Sequence, residues 1–530
     1  MFDFLLANAS VVDGSGAAAY LANIGVSGGK IAAISSSIQA DALRRIDLDG
    51  RVLTPGFIDI HRHADAAVFR PGFGGTELFQ GITTIVNGNC GMSIAPLPPN
   101  YREEMLGYLA SVIGSLPHGI VFESFSDYAN LLDKMPLPLN IGCHVGSGTM
   151  RAAAAGYQER TLGKTQLELL HKSLEDALSA GALGVSVGLS YLPDFFYTPQ
   201  ELAEVLAPIG GTSIPLVFHV RGEGGMLHES VSEAIESARL LGARIHISHF
   251  KCIGRRNWGT LLGKTIEMME GSRLCGSSIS CDVYPWTAGS TQMACLLPPA
   301  FLMGGPKQTA ERLSCAKTRD VCKSIMKKPS LEFENIAESM GWQSIYVSGL
   351  QSEKNRWCIG KNILEIANVR HIDPFDAAFD LLVEENCNVT MVDYITCEED
   401  IETILRLDYS VVSSDTVYPD SGLPHPRGYG NIAALLGEYV KKRGTLTFEQ
   451  AIRKLTDLPA KIFGIKKKGL ICEGFDADIV VIDKEGISSQ ANYQNPTSLS
   501  EGINLVMVNG KIAKEGGSLT GEMNGRYLRR

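Results

Sequence analysis

Two histidines one residue apart, His61 and His63, are the first residues of this sequence whose types and spacing suggest chemistry. They follow the apolar run 57–60, which is rich in strand-forming residues, and Asp65 comes two residues later. In an extended backbone, residues i and i+2 point to the same side, so both imidazoles can reach one metal ion. Two unrelated histidines on a half-buried strand would give the same pattern, and the pair alone leaves both interpretations open.

The elements that would position these histidines repeat along the chain. Apolar, strand-like runs alternate with helical stretches, which include residues 166–180, 230–241 and 448–455. Eight strands are predicted, at residues 57–60, 83–86, 140–143, 183–187, 216–218, 244–247, 279–283 and 409–412. Eight strand–helix units predict an α/β protein with a (β/α)8 TIM-like barrel, in which catalytic side chains stand at the C-terminal ends of the strands.

Side chains that titrate or bind metals follow nearly every predicted strand. In chain order they are His61, His63, Cys90, His144, Tyr191, His219, His249, Tyr284 and Asp415. Because the C-terminal ends of barrel strands meet at one face, we expect these side chains to share one site.

The two ends of the chain and one internal segment depart from the barrel pattern. Residues 1–55 and 466–530 contain short strands punctuated by glycine, which predict a small β-sandwich domain flanking a barrel at residues 56–465. Residues 287–394 are too many for a simple loop and helix, so we expect a lid-like insertion after strand seven that covers the barrel mouth. Helical patterns inside it occur near residues 308–317 and 363–369.

Composition and charge limit the partners of the protein. The formal net charge of the 530 residues is -10 at pH 7, which argues against nucleic acid or an anionic membrane as a partner. No stretch approaches the roughly 18 apolar residues of a membrane span. The N-terminus lacks the pattern of a secretory signal. The 12 cysteines form no CxxC pair, which favours reduced thiols, and we therefore expect a cytoplasmic protein.

Six blocks of the sequence, taken together, resemble the N-acyl-D-amino-acid deacylase (D-aminoacylase) family of the metal-dependent amidohydrolase superfamily. They are GFIDIHRH at 56–63, GNCGMS at 88–93, HVRGE at 219–223, ISHFK at 247–251, DVYPWTAGS at 282–290 and HPR at 425–427. The resemblance covers essentially the whole chain. It implies a zinc-dependent hydrolase of linear amides that converts an N-acyl-D-amino acid and water into a carboxylate and a free D-amino acid.

The resemblance also implies the metal ligands. In the family, a cysteine after strand two and the histidines of strands five and six bind the tight zinc ion, and these correspond to Cys90, His219 and His249. Thiolate and imidazole groups suit zinc, and three protein ligands leave a position open for water or substrate. His61 and His63 then form a second, weaker site. For Cys90 the alternative is a buried structural thiol.

Asp415 is the expected general base. A carboxylate beside zinc can take a proton from the attacking water and pass it to the departing amine. The run Ser413, Ser414 and Asp415 would also suit the N-cap of a helix. His144 is a second candidate, either as a donor to the developing oxyanion or as a structural residue behind the ligands.

The carboxylate of an N-acyl amino acid needs charged or hydroxyl donors when it is buried. By resemblance the donors are Lys251, Tyr284, Ser290 and Arg427. A packing role for Arg427 is an equal alternative. We expect the acyl group to occupy an apolar pocket with walls that include Leu189, Tyr191 and Leu297.

Two residues depart from the family pattern. Arg62 stands between the paired histidines, where a smaller residue, often Thr, is usual, and Phe250 replaces a common histidine beside His249. A bulky cation beside the weaker metal site would alter its occupancy or recognise an acidic group. Arg62 is therefore expected to affect substrate preference.

Two other functions fit parts of the pattern. A cyclic-amide hydrolase of the hydantoinase or dihydroorotase kind would use the same barrel. Many members of the superfamily, however, bridge two metals with a modified lysine on strand four, and residues 181–191 contain no lysine or glutamate. A non-catalytic amidohydrolase-like protein that only binds partners would have no physical need to keep every ligand together with Asp415. The deacylase is the function that we expect.

Overall fold

The computed structural model describes residues 1–158, 160–330 and 333–530. Eight parallel strands, here numbered in chain order with all others, form the central barrel. They are β6 (Phe57–Asp59), β7 (Ile82–Asn87), β8 (Asn140–Gly146), β9 (Gly184–Gly188), β10 (Pro215–His219), β11 (Arg244–Ile247), β12 (Ile279–Val283) and β16 (Ser410–Val412). Every residue of β7, β8 and β9 is buried, as expected for parallel strands that are covered on both faces. The predicted barrel is confirmed.

Backbone hydrogen bonds just beyond the strand ends close the barrel between its first and last strands. The amide of Asp415 donates to the carbonyl oxygen of His61 at 2.9 Å, and the amide of His63 donates to that of Thr416 at 3.0 Å. The closure therefore joins the two segments that carry His61, His63 and Asp415, and it fixes these residues relative to one another.

Helices surround the barrel, and one of them covers the end formed by the N-termini of the strands. Outside the insertion they are α1 (Gly75–Phe79), α2 (Arg102–Ile113), α3 (Phe125–Lys134), α4 (Ser147–Ala155), α5 (Lys164–Ser179), α6 (Pro199–Val205), α7 (Leu227–Leu241), α8 (Thr260–Leu274), α15 (Glu398–Arg406), α16 (Arg427–Ala434), α17 (Phe448–Leu455) and α18 (Asp457–Phe463). α18 lies at the N-terminal ends of the strands, where Phe463 packs in one apolar cluster with Ile58 and Val411. Among the described residues, no helix is long and apolar enough to cross a membrane.

A nine-stranded sheet is built from both ends of the chain. Its strands are β1 (Phe2–Val11), β2 (Tyr20–Ser27), β3 (Lys30–Ser35), β4 (Ala42–Asp47), β5 (Val52–Pro55), β17 (Ile479–Ile482), β20 (Ile503–Val508), β21 (Lys511–Glu515) and β22 (Ser518–Leu519). A short hairpin, β18 (Ser488–Ser489) and β19 (Ser500–Glu501), stands apart. Because β5 pairs with β1 on one side and with β17 on the other, one continuous sheet joins the two ends of the chain, and the expected β-domain built from both ends is confirmed.

The segment between β12 and α15 folds around an apolar core of its own. Its elements are β13 (Ala288–Gln292), α9 (Pro299–Leu302), α10 (Gly305–Leu313), α11 (Ala316–Met326), α12 (Ile336–Met340), β14 (Ile345–Gly349), α13 (Ile363–Arg370), α14 (Pro374–Glu384) and β15 (Thr390–Tyr394). The helix expected at residues 308–317 is split between α10 and α11. The break falls at Ser314, whose hydroxyl donates to the carbonyl oxygen of Ala310 at 2.9 Å, a side-chain bond that competes with helix continuation.

Candidate active site

A cavity with an empty volume of ≈ 900 Å³ lies at the C-terminal mouth of the barrel. Its barrel side is lined by side chains that follow the strands, among them His63, Cys90, His219, His249 and Asp415. Its opposite side is lined by the insertion, with Ser290, Leu297, Glu334 and Asp393. The expected strand-end residues and the insertion therefore meet around one space.

Two groups of potential metal ligands share Cys90. One is His61, His63 and Cys90, the other is Cys90, His219 and His249, and within each group the ligand atoms lie within 4.8 Å of one another. Cys90 Sγ is 3.3 Å from His61 Nε2 and 3.4 Å from His249 Nε2. His219 Nδ1 is 2.8 Å from His249 Nε2. Such an arrangement suits two neighbouring metal ions with the thiolate between them.

Three residues of the site have an uncommon backbone conformation. Cys90, His249 and Asp415 have positive φ angles of 57°, 36° and 51°, a region that non-glycine residues rarely adopt. The side chain of Asn89 holds the turn at Cys90 by donating to the carbonyl oxygens of Ile60 at 3.3 Å and Val86 at 3.0 Å. Backbone strain of this kind clusters at functional sites, which favours a ligand over a merely structural thiol at Cys90.

The charges around Cys90 favour its thiolate form. Burial by itself would raise the pKa of the Cys90 thiol, but the imidazoles of His61 and His249 hold it well below its usual value. Burial and the neighbouring His249 lower the pKa of His219, which keeps that imidazole neutral. At His249, burial and Lys251 act to lower the pKa, but Glu223 and Cys90 raise it to about 9, so zinc binding there would release a proton. One thiolate and several imidazoles are donor types that suit zinc.

Two carboxylates that the sequence did not single out orient the ligands. Glu223 Oε1 is 2.9 Å from His249 Nδ1 and 2.6 Å from Lys251 Nζ, and Asp282 Oδ2 is 3.4 Å from His61 Nδ1. Because each carboxylate engages Nδ1, the Nε2 atoms of both histidines are left to face Cys90. The sequence did carry a signal, since Glu223 stands in the same HVRGE block as the histidine after strand five and Asp282 lies near the end of β12.

Asp415 stands beside the paired histidines. Its Oδ1 is 3.3 Å from Nε2 of both His61 and His63, and its Oδ2 is 2.9 Å from Nη1 of Arg427. Burial alone would raise the pKa of Asp415, but Arg427 and His61 hold it well below its usual value, so the group is a carboxylate. It does not cap a helix, because the next helix, α16, begins only at Arg427.

Three of the four expected carboxylate-binding residues line the cavity. These are Lys251, Tyr284 and Ser290. Arg427 lies behind Tyr284, with its guanidinium carbon 4.8 Å from the ring centroid, and its side chain is fully buried. Its guanidinium is engaged by Asp415 and by the carbonyl oxygen of Ser290 at 3.1 Å. This position suits Arg427 to holding Asp415 rather than the substrate.

His144 is not placed beside the other candidates. Because β8 continues to Gly146, His144 lies inside the barrel, where its ring centroid is 5.3 Å from that of Phe463. Burial lowers its pKa to about 3, so the imidazole is neutral. This position matches the structural alternative and not the oxyanion donor. Of the expected pocket walls, Tyr191 and Leu297 line the cavity, whereas Leu189 packs in the main core.

Arg62 points away from the metal ligands, contrary to our expectation. Its side chain is fully buried, and its guanidinium donates to Asp59 at 2.7 Å, to Glu77 and to the hydroxyl of Tyr418. Two carboxylates therefore neutralise its charge, and the expectation that Arg62 recognises an acidic group is wrong. Phe250, the second departure, packs in the main apolar core.

Comparison with known proteins agrees with this site. The amidohydrolase family model matches residues 409–513. The chain is 30% identical over 529 residues to D-aminoacylase of Alcaligenes xylosoxydans xylosoxydans, which covers 100% of this chain and 98% of that protein. It is similar over 100% of both chains to N-acyl-D-glutamate deacylase of Bordetella bronchiseptica in complex with zinc and a phosphonate mimic of the tetrahedral intermediate, with a TM-score of 0.84 and 27% identity.

A second structural relative bears on the metal. It is a D-aminoacylase whose binuclear metal centre is described by one-metal activation and second-metal attenuation. Its TM-score is 0.82 at 29% identity, again over 100% of both chains. Fold and full-length identity agree, and the chain belongs to the N-acyl-D-amino-acid deacylase family of metal-dependent amidohydrolases.

Proposed function

We propose that this protein hydrolyses the amide bond of N-acyl-D-amino acids to give a carboxylate and a free D-amino acid. The observation that supports this most is the convergence of Cys90, His219 and His249 with Asp415 at the barrel mouth. The D configuration and the linear amide rest on membership of the family.

Cys90, His219 and His249 would hold the tight zinc ion, and His61 and His63 would form a second, weaker site next to it. The two ligand groups that share Cys90 support this division, as does the D-aminoacylase relative with one activating and one attenuating metal. When bound, zinc polarises the amide carbonyl and lowers the pKa of a water molecule.

Asp415 would act as the general base and then as the general acid. Its carboxylate takes a proton from the attacking water and passes it to the nitrogen of the departing amine. The ion pair with Arg427 supports this role, because it holds the carboxylate in place beside His61 and His63.

Lys251, Tyr284 and Ser290 would bind the carboxylate of the substrate. Lys251 brings a positive charge, and burial keeps Tyr284 protonated by raising its pKa well above the usual value, so the hydroxyl remains a donor. All three line the cavity, and they lie just after β11, just after β12 and in β13 of the insertion.

The two rival functions have less support. A cyclic-amide hydrolase with a bridging modified lysine would need that residue on β9, whose five residues include none, and the hydroxyl of Ser186 there donates to the carbonyl oxygen of Gly88. A non-catalytic barrel would not need a buried thiolate beside four buried histidines. For location we propose the cytoplasm, since all 12 cysteines are free.

The test is metal analysis of the purified protein together with hydrolysis of matched N-acetyl-D- and N-acetyl-L-amino acids and of hydantoins. We expect about one tightly held zinc per chain and turnover of the D-compounds only. Activity confined to hydantoins would overturn the proposal, and so would full activity after complete removal of the metal.

A further inference from the structure

We infer that the enzyme selects N-acyl-D-amino acids with an uncharged, apolar side chain and rejects those with an acidic side chain. This inference rests on the proposed function and adds the substrate class. The family leaves the question open, since the relatives include a D-aminoacylase and an N-acyl-D-glutamate deacylase of nearly equal similarity. The cavity itself carries the argument.

Among the described lining residues, the cavity has two that are arginine or lysine. One of them, Arg221, forms an ion pair with Glu233. Both nitrogens on one edge of its guanidinium donate to Glu233, at 2.9 and 2.8 Å. The remaining bonds go to the carbonyl oxygens of Phe195 at 2.8 Å and Tyr197 at 2.7 Å. Four of the five N–H groups of the guanidinium are therefore occupied, and its carboxylate partner already balances its charge.

Lys251 is the other cation of the cavity wall, and it has a different task. Its Nζ donates to Glu223 Oε1 at 2.6 Å, and an ammonium group has further N–H donors beyond that bond, which in the proposed function bind the α-carboxylate that every substrate of this class carries. Arg427, which is nearby, is buried behind Tyr284 and paired with Asp415. No lysine or arginine among the described lining residues is left for a second carboxylate.

Apolar side chains form much of the remaining wall, which also carries the hydroxyl groups of Ser190, Tyr191 and Thr291. On the barrel side the apolar residues include Met92, Val112 and Val417, and on the side of the insertion Ile253, Leu297 and Ile336. Each of these side chains is buried, so the surface that they present is closed off from bulk water. A substrate side chain in contact with these apolar groups gains free energy from apolar burial, and a carboxylate there loses its hydration without meeting an unpaired cation among the described lining residues.

The unassigned titratable groups of the cavity add no positive charge. Glu334 Oε2 accepts from the backbone amides of Glu223 at 3.0 Å and Gly224 at 2.6 Å, and neither Glu334 nor Asp393 has an ion-pair partner among the described residues. Burial raises the pKa of Glu334 to about 7 and that of Asp393 to about 6. When ionised they repel an acidic side chain, and when protonated they supply no charge to balance it.

The sharpest test compares N-acetyl-D-glutamine with N-acetyl-D-glutamate, because the two substrates have the same shape and differ in one charge. N-acetyl-D-leucine serves as the apolar reference. We expect kcat/KM for the glutamate compound to be lower than for the glutamine compound by on the order of 100-fold or more, the size of penalty seen for unpaired buried charges. The leucine compound should be the best of the three.

Two variants of Leu297 test whether this apolar wall contacts the substrate side chain. Leu297→Arg should raise the glutamate-to-glutamine ratio of kcat/KM by at least about tenfold, since it places a cation on the wall, and the matched Leu297→Gln variant should leave that ratio unchanged. Equal or faster turnover of the glutamate compound by the wild type would overturn this inference and leave the proposed function standing. Failure to hydrolyse any of the three compounds would overturn both.

Discussion

Glu223 gives the most direct test of how the metal ligands are held. Its buried carboxylate oxygen Oε1 serves both His249 Nδ1 at 2.9 Å and Lys251 Nζ at 2.6 Å. Replacement by glutamine keeps an acceptor but removes the charge, and replacement by alanine removes both. His249 presents Nε2 to Cys90 only while Glu223 holds its Nδ1. Each change should therefore weaken metal binding, and any loss of activity should follow from the loss of metal.

The expected size follows from carboxylates that orient histidine ligands, whose removal lowers metal affinity by about 10- to 100-fold, or roughly 1.4 to 2.7 kcal/mol. We expect zinc affinity to fall by about 10-fold in Glu223→Gln and by about 100-fold in Glu223→Ala. In the alanine variant Lys251 also loses its only ion-pair partner among the described residues, so KM should rise as well.

The assay is competition for zinc with a chromophoric chelator, followed by kcat and KM at saturating metal. The matched control is Glu236→Gln, which removes an exposed carboxylate that pairs with Arg239 on α7 and should change neither quantity. A zinc affinity of Glu223→Ala within twofold of the wild type would refute the reasoning, since the carboxylate would then play no part in holding His249.

Three further predictions concern activity and stability. Asp415→Asn should lower kcat by about 100- to 10,000-fold while zinc content stays the same, and normal turnover would contradict its role as general base. Arg62→Met should lower the free energy of unfolding by about 3 to 5 kcal/mol in urea, because it leaves the carboxylates of Asp59 and Glu77 buried and unpaired; an unchanged transition would contradict the ion-pair account. Burial raises the pKa of Asp194 from 3.8 to about 6, so the folded state binds its proton more tightly than the unfolded state and stability falls as pH rises from about 4 to 6. Asp194→Asn should remove roughly 3 kcal/mol of this pH dependence, and equal pH profiles for the variant and the wild type would count against it.

The eight barrel strands and the candidate residues at their ends were accessible from the sequence for a simple reason. A parallel strand that is buried on both faces is a short apolar run, and a histidine, cysteine or aspartate immediately after it is conspicuous. Cys90, His219 and Asp415 each follow such a run. The geometry of a closed barrel then brings these ends to one face without further information from the sequence.

The orientation of individual side chains was not accessible in this way. His144 and His249 both appeared to follow a strand, but β8 runs two residues beyond His144, which leaves its ring inside the barrel against Phe463. A difference of two residues in where a strand ends decides whether a side chain reaches the mouth, and such boundaries are the least certain part of a sequence-based prediction.

The sequence by itself indicated the barrel and the domain from both chain ends, because apolar periodicity is a local property, and it placed the candidate ligands at strand ends. The tertiary structure decided which charges are free to act. Arg62 meets Glu77 15 residues later and Tyr418 356 residues later, and Arg221 is paired with Glu233. Whether a cation binds substrate or only neutralises a neighbour depends on partners that the fold alone brings into contact, and this pairing leaves Arg221 and Arg427 unavailable to a substrate carboxylate.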